Sequence, residues 1–215
     1  GYVTINMNYR LADLTKALAP TTNSIRIAEM IADIESVKSY VATRATEWNC
    51  NANKIVFVGA SSGAHLALMD TLTKNSSSSI KGCVSLSGPT DFTDADFQDN
   101  SVTTSSGTFT VLQGLELATA TMWDTTAGAA NQAFVDASPL KQTLSASTGV
   151  QFLIVHGKGD SMVPYAQAQS MATALSAAGA TTEWYLSDTD NHDLANCLPT
   201  VISTKITPLL ASLLR

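Results

Sequence analysis

Lys54-Ile-Val-Phe-Val58-Gly59-Ala-Ser61-Ser-Gly63-Ala-His-Leu-Ala67 is the stretch on which the reading of this chain turns. Its first five residues form an apolar, β-branched run of the kind that makes a strand buried on both faces. A Gly-x-Ser-x-Gly turn follows from Gly59 to Gly63, and then a helical pattern from about Ser62 to Leu72. A serine on a tight turn between a buried strand and a helix stands clear at the C-terminal edge of a sheet, while small flanking residues let strand and helix approach. The competing reading, a glycine turn with an inert serine, is disfavoured by the strand and helix on either side.

The same alternation runs outward from this unit. Upstream, Tyr2 to Asn8 mixes β-branched and polar residues as a strand does. From Ser24, Ile27, Met30, Ile31, Ile34, Val37 and Val41 recur at helical spacing, predicting an amphipathic helix through about Trp48. Downstream, Gly82 to Leu86, Gln151 to Val155 and Thr182 to Leu186 read as further strands, with helices at Tyr165 to Ala178 and Val201 to Leu214. Strands alternating with helices call for an α/β domain: a mainly parallel sheet with helices on both faces, joined by right-handed crossovers. Between Asp91 and Ala137 the pattern dissolves into Asp, Ser, Thr and Gly, with a weak helical stretch near Val111 to Trp123. An irregular insertion of that length is expected to form a lid or binding loop. Its position after a strand puts it on the same sheet edge as Ser61.

Composition narrows the function. The 215 residues suit one domain covering 1–215, and a net charge of −6 with the charges interspersed offers no cationic face for nucleic acid or anionic lipid. No apolar run approaches the ~20 residues of a membrane span, and GYVTINMNYR lacks the regions of a signal peptide. Abundant Ser and Thr, scarce Lys and the sequon Asn75-Ser76-Ser77 are compatible with a secreted or periplasmic protein. Cys50, Cys83 and Cys197 show no metal-ligand spacing, and no metal or cofactor is implied. If a disulfide forms within the chain, strand placement favours Cys50 with Cys83, provided their Cα atoms come within about 7 Å.

Ser61 needs a base, because a free serine hydroxyl is a poor nucleophile near neutral pH. His65, one helical turn on, is expected to pack beside the sheet, and His156, followed by Gly157, to bond to nearby backbone. His192 lies in the loop Ser187-Asp-Thr-Asp-Asn-His-Asp193 after the last strand, on the edge that carries Ser61, and is the best base. Asp160, in Gly157-Lys-Gly-Asp160, follows the neighbouring strand and is the expected acid; Asp188, Asp190 and Asp193 are read as solvated loop acids. The order Ser, Asp, His is the one this type of fold uses.

Asn8-Tyr-Arg-Leu-Ala12, the Gly59 to Ala67 elbow, Ala137-Ser-Pro-Leu140, Ile154-Val-His-Gly-Lys-Gly-Asp160 with Val163-Pro164, and Asn191-His192 fall in the order found in α/β-hydrolase esterases. The chain resembles that superfamily over its whole length, and within it the hormone-sensitive-lipase-like and bacterial feruloyl-esterase-like carboxylesterases, with arylformamidases nearby. The resemblance implies an α/β-hydrolase fold and a catalytic triad of Ser61, Asp160 and His192. It also implies a serine carboxylesterase, lipase-like in mechanism, acting on small or carbohydrate-linked acyl esters.

The Ser62 amide is expected to donate to the oxyanion. The family's second donor comes from a His-Gly-Gly loop after a strand that precedes Tyr2 to Asn8 in its chains and lies between that segment and Lys54 to Val58 in its sheet. These residues have no counterpart here, so the chain reads as N-terminally incomplete, with a second polypeptide or an upstream segment as the source of the strand. Direct pairing of the Tyr2 and Lys54 strands would instead give a five-stranded sheet. Trp123, Phe109 and Leu112 of the insertion are candidates for the acyl side of the pocket. The alternatives are an arylformamidase or peptidase-type amide hydrolase, and a binding module that keeps the fold without catalysis.

Overall fold

The computed structural model describes residues 1–17, 19–104, 107–125 and 132–214. In chain order its main elements are α1 (Ile27–Arg44), β1 (Ile55–Ala60), α2 (Ser62–Lys74), β2 (Ile80–Leu86), α3 (Ala95–Gln98), β3 (Ser101–Thr104), β4 (Gly107–Thr110), α4 (Val111–Thr119), α5 (Gln132–Asp136), β5 (Gln151–Gly157), α6 (Tyr165–Ala177), β6 (Thr181–Ser187), α7 (Leu198–Val201) and α8 (Thr207–Leu214). β1, β2, β5 and β6 form a four-stranded parallel sheet in that order. A second, two-stranded sheet pairs β3 with β4 in the insertion.

Side chains alternate across the large sheet as a period of two requires. Cys83, Phe152 and Ile154 point to one face, where Leu68 and Leu72 of α2 and Met171 and Leu175 of α6 close over them. Val84, Leu86, Leu153 and Val155 point to the other, against Leu194, Val201 and Ile206. Each large apolar side chain so enclosed contributes about 1.5–3 kcal/mol, which explains why β2 and β5 read as unbroken apolar runs. The last helix is continuous from Leu198 but widens over Ile202–Ile206 into a π-helical turn, with Thr207 N bonding to Ile202 O. Pro208 follows at once and has no N–H to give the carbonyl four residues back. No helix among the described residues is long and apolar enough to cross a membrane.

Tyr2 to Asn8, read above as a strand, forms none. Strand character belongs to a pair, and among the described residues this segment makes no backbone-to-backbone hydrogen bond. Side chains just beyond it hold it instead: Tyr9 Oη lies 2.8 Å from Ser62 Oγ, and Arg10 pairs with Asp33 at 2.9 Å. Among the described residues the sheet therefore has four strands rather than five. The insertion, expected to be irregular apart from one helix, also contains the β3–β4 hairpin and the short helices α3 and α5. Several hydrogen bonds fasten it to the body, those of Gln167 with Asp91 and Asp94 among them. His65 Nε2 donates to Ala137 O at 2.7 Å, Asn100 Nδ2 to Met162 O at 3.0 Å, and Asn23 Nδ2 to Leu117 O at 2.9 Å. All three cysteines are free thiols, so Cys50 and Cys83 are not joined.

Candidate active site

Ser61 caps α2 from the end of β1 with φ 51° and ψ −121°, a conformation that L-residues seldom adopt. Ser61 N is tied to Leu86 O at 2.8 Å, and its carbonyl accepts from Ala64 N and His65 N as the first turn of the helix. Gly59 is what lets the turn close: a Cβ there would stand 2.3 Å from Gly63 O. Strand, turn and helix together leave the Ser61 hydroxyl at the C-terminal edge of the sheet.

The register of the neighbouring strands delivers the other two groups. Gly157 at the end of β5 pairs with Ser187 at the end of β6, so the loops that follow them run side by side. Gly159 N donates to Asp190 O at 2.9 Å across that seam. His192 Nε2 lies 2.9 Å from Ser61 Oγ, and His192 Nδ1 lies 2.8 Å from Asp160 Oδ2. The structure thus brings Ser61, His192 and Asp160 into one hydrogen-bonded line. Asp190 does not compete for the imidazole, because its carboxylate accepts from Ser187 Oγ, Asn196 N and Cys197 N and folds the His192 loop. Asp188 pairs with Lys158 on the surface, and Asp193 is exposed.

Burial by itself would push the Asp160 carboxyl up. Hydrogen bonds from His156, His192 and the Val163 amide outweigh it and hold the group well below the ordinary carboxylate range. The bond to Asp160 raises His192 above its ordinary value, burial opposes, and the charges of Asp160 and Asp193 add to the rise. With a carboxylate on Nδ1, the Nδ1–H tautomer is fixed and the Nε2 lone pair faces the serine hydroxyl.

His65 is buried and stacks on Phe92 with ring centroids 4.6 Å apart, and burial drives its pKa down to about 4. It fastens the insertion and takes no place in the line to Ser61. Ser62 is the first residue of α2, so its amide has no carbonyl four residues back within the helix and is free to face an anion. Trp123 and Leu112 pack in the insertion's own apolar core, with Trp123 edge-on to Phe134 at 4.9 Å, while Phe109 is half-buried on β4 opposite Val102. The structure does not bring these three into the hydrogen-bonded cluster. Met162, two residues from Asp160, packs on the same core and seats the insertion beside the acid's loop. Two contacts escaped the reading of the sequence: His156 Nε2 lies 3.0 Å from Asp160 Oδ2, and Tyr9 meets Ser62. The four-residue spacing of His156 and Asp160 across a Gly-x-Gly turn was the available signal for the first.

A strained serine at a strand-to-helix turn, in a parallel sheet whose last two strands, β5 and β6, are followed by loops carrying aspartate and histidine, defines the α/β-hydrolase class. Solved structures agree on the fold. An acetyl ester-xyloside bifunctional hydrolase from Caldicellulosiruptor lactoaceticus superposes with a TM-score of 0.65 at 15% identity, over 87% of this chain and 66% of its own. A bifunctional GH43-CE protein from Bacteroides eggerthii gives 0.64 at 19%, over 86% and 27%. The butyrate-bound esterase Est2 of Thermogutta terrifontis gives 0.62 at 19%, over 89% and 68%. The chain thus spans less than two thirds of the first two. No curated protein matches it. Its family is shown by a model that covers residues 1–175: the chain belongs to the BD-FAE family, α/β-hydrolases of the feruloyl-esterase-like kind.

Proposed function

We propose that this chain carries the catalytic centre of a serine carboxylesterase that works through an acyl-enzyme. One observation carries the reading: the unbroken contact from Ser61 Oγ to His192 Nε2 at 2.9 Å and from His192 Nδ1 to Asp160 Oδ2 at 2.8 Å. Ser61 attacks the ester carbonyl while His192 takes its proton, and Asp160 stabilises the imidazolium so formed. The carbonyl oxygen becomes an oxyanion facing the Ser62 amide. His192 returns the proton to the departing alcohol, and a water activated by the same imidazole releases the acyl group. The Asp91–Ala137 insertion serves as the lid, with Trp123, Phe109 and Leu112 on the acyl side. The fold neighbours named as an acetyl ester-xyloside hydrolase and as an esterase with butyrate bound support small acyl groups on sugar or simple alcohols as the substrate class. Ser61→Ala should abolish hydrolysis of a short p-nitrophenyl ester and labelling by a fluorophosphonate, with little change in melting temperature. Retained turnover would end the reading, and a panel favouring aryl formamides or peptides over esters would move it to an amide hydrolase.

The same reading includes a β-strand from outside these 215 residues, lying along β1. β1 is an edge strand with Val58 half exposed at 50%, and a groove of about 1120 Å³ separates it from Gly1–Met7. Val3, Ile5, Val37, Val56 and Leu210 line that groove. An open apolar edge of this kind presents unpaired N–H and C=O groups to any extended segment that fits. By the family resemblance, the second oxyanion donor follows that strand.

A further inference from the structure

His156, which the proposed reaction leaves unused, is placed to control the acid. It is fully buried near the end of β5, and its Nε2 lies 2.9 Å from Val163 O as well as 3.0 Å from Asp160 Oδ2. A carbonyl oxygen only accepts, so Nε2 is the protonated nitrogen; its single N–H donates to Val163 O, and the Asp160 carboxylate lies beside it. Nδ1 is buried and has no hydrogen-bond partner among the described residues.

The Asp160 carboxylate accepts three hydrogen bonds: Oδ1 from Met162 N and Val163 N, each at 2.9 Å, and Oδ2 from His192 Nδ1 at 2.8 Å. His156 Nε2 lies 3.0 Å from the same Oδ2, so its N–H dipole attracts that oxygen. Without His156, the two amides would still hold Oδ1, but Oδ2 would keep only the donor that it is meant to orient.

We propose that His156 is a positioning residue for the hydrolysis assigned above: its Nε2–H, 3.0 Å from Asp160 Oδ2, attracts that oxygen so that the carboxylate presents one fixed direction to His192. The proposal rests on that assignment for its kinetics but not for its geometry. The decisive variants are His156→Phe, which keeps a ring of similar size without a donor, and His156→Gln, whose amide can reach the same oxygen. With a p-nitrophenyl ester, His156→Phe should lower kcat about tenfold to hundredfold with KM unchanged, the scale of one lost polar contact to a charged group. His156→Gln should recover most of the loss. A folded His156→Phe protein with wild-type kcat, or a His156→Gln protein as impaired as it, would overturn the proposal. Should His156→Phe not fold, His156→Asn, whose shorter amide falls short of Oδ2, takes its place with the same expectation.

A second readout needs no turnover. In a Ser61→Ala background, the proton on His192 Nδ1 should give a downfield NMR signal that survives in His156→Gln and is lost to solvent exchange in His156→Phe. An unchanged signal in His156→Phe would refute the positioning role even if Ser61 proved not to be the nucleophile. Wild-type turnover in Ser61→Ala would instead refute the hydrolase assignment and leave this test standing.

Discussion

Replacing Gly157 by alanine tests whether the position of the His192 loop, rather than the mere presence of its histidine, sets the rate. A Cβ at Gly157 would stand 2.3 Å from Asn191 O and 2.6 Å from Asp190 O, whereas ordinary contact begins near 3.4 Å. Both obstacles are backbone, so neither can rotate away. The loop must retreat by about 1 Å, and Asn191 is directly bonded to His192. His192 Nε2 then withdraws from Ser61 Oγ by a comparable amount from its 2.9 Å contact, which ends the hydrogen bond. A displacement of 1 Å in reacting groups costs about 100-fold in rate, while crowding of one methyl group costs about 1–3 kcal/mol of stability. Gly157→Ala should therefore stay folded and react with a fluorophosphonate about 100-fold more slowly than the parent chain. Gly114→Ala is the control, because a Cβ on that exposed α4 position meets nothing within 4 Å and should leave the rate alone while adding slightly to stability. A Gly157→Ala protein that labels at the parent rate would refute the claim that the close approach of the two loops aligns the histidine.

Asp160→Asn should lower kcat about 10⁴-fold at constant fold, because the amide can hold the imidazole in the tautomer whose Nε2 already bears a proton. Full activity in that variant would move the acid elsewhere. Since the base must be neutral and Asp160 raises His192, kcat/KM should fall as pH drops through a midpoint above 6.5. Asp193→Asn removes one of the charges that raise it and should move that midpoint down; no movement, or a rise, would count against the assignment of the base. In the 215-residue chain alone, hydrogen exchange should be much faster at the outward-facing amides of β1 than along β5, which is paired on both sides. Full protection of β1 would remove the case for an added strand.

What could be read from the residues alone was whatever is written locally. The β1–Ser61–α2 unit is contiguous, and its strand, its two glycines and its helix each carry their own signature. Asp160 and His192 were legible for a related reason: each sits just past a buried strand, and parallel neighbours bring such loops together whatever residues they contain. His65, set aside as a residue packing beside the sheet, bonds to Ala137 O and stacks on Phe92. The β3–β4 hairpin was not legible, since Ser and Thr dominate it and Val102 opposite Phe109 is its one large apolar pairing. Nor was the contact of His156 with Asp160, which depends on how the turn after β5 curls.

Tyr2 to Asn8 shows the limit most plainly, and it also links the fold to the chemistry. Its alternation is that of a strand, yet the property it encodes is a readiness to pair, and pairing needs a second backbone. β1 has the complementary deficit: an apolar strand whose outer edge meets a groove instead of a ladder. The two unpaired edges face one cavity, and Tyr9, at the end of the first segment, bonds to Ser62, whose amide is the oxyanion donor assigned above. Any segment that fills the groove must therefore pass beside the helix N-terminus on which the developing negative charge depends. Rate and sheet completion are coupled at that point, because losing one oxyanion donor costs about 2.7–4 kcal/mol of transition-state stabilisation. The hydrogen-bonded line from Ser61 to Asp160 is assembled without such a segment, so binding of a strand at β1 should change the rate of acylation while leaving the geometry of His192 and Asp160 as it is.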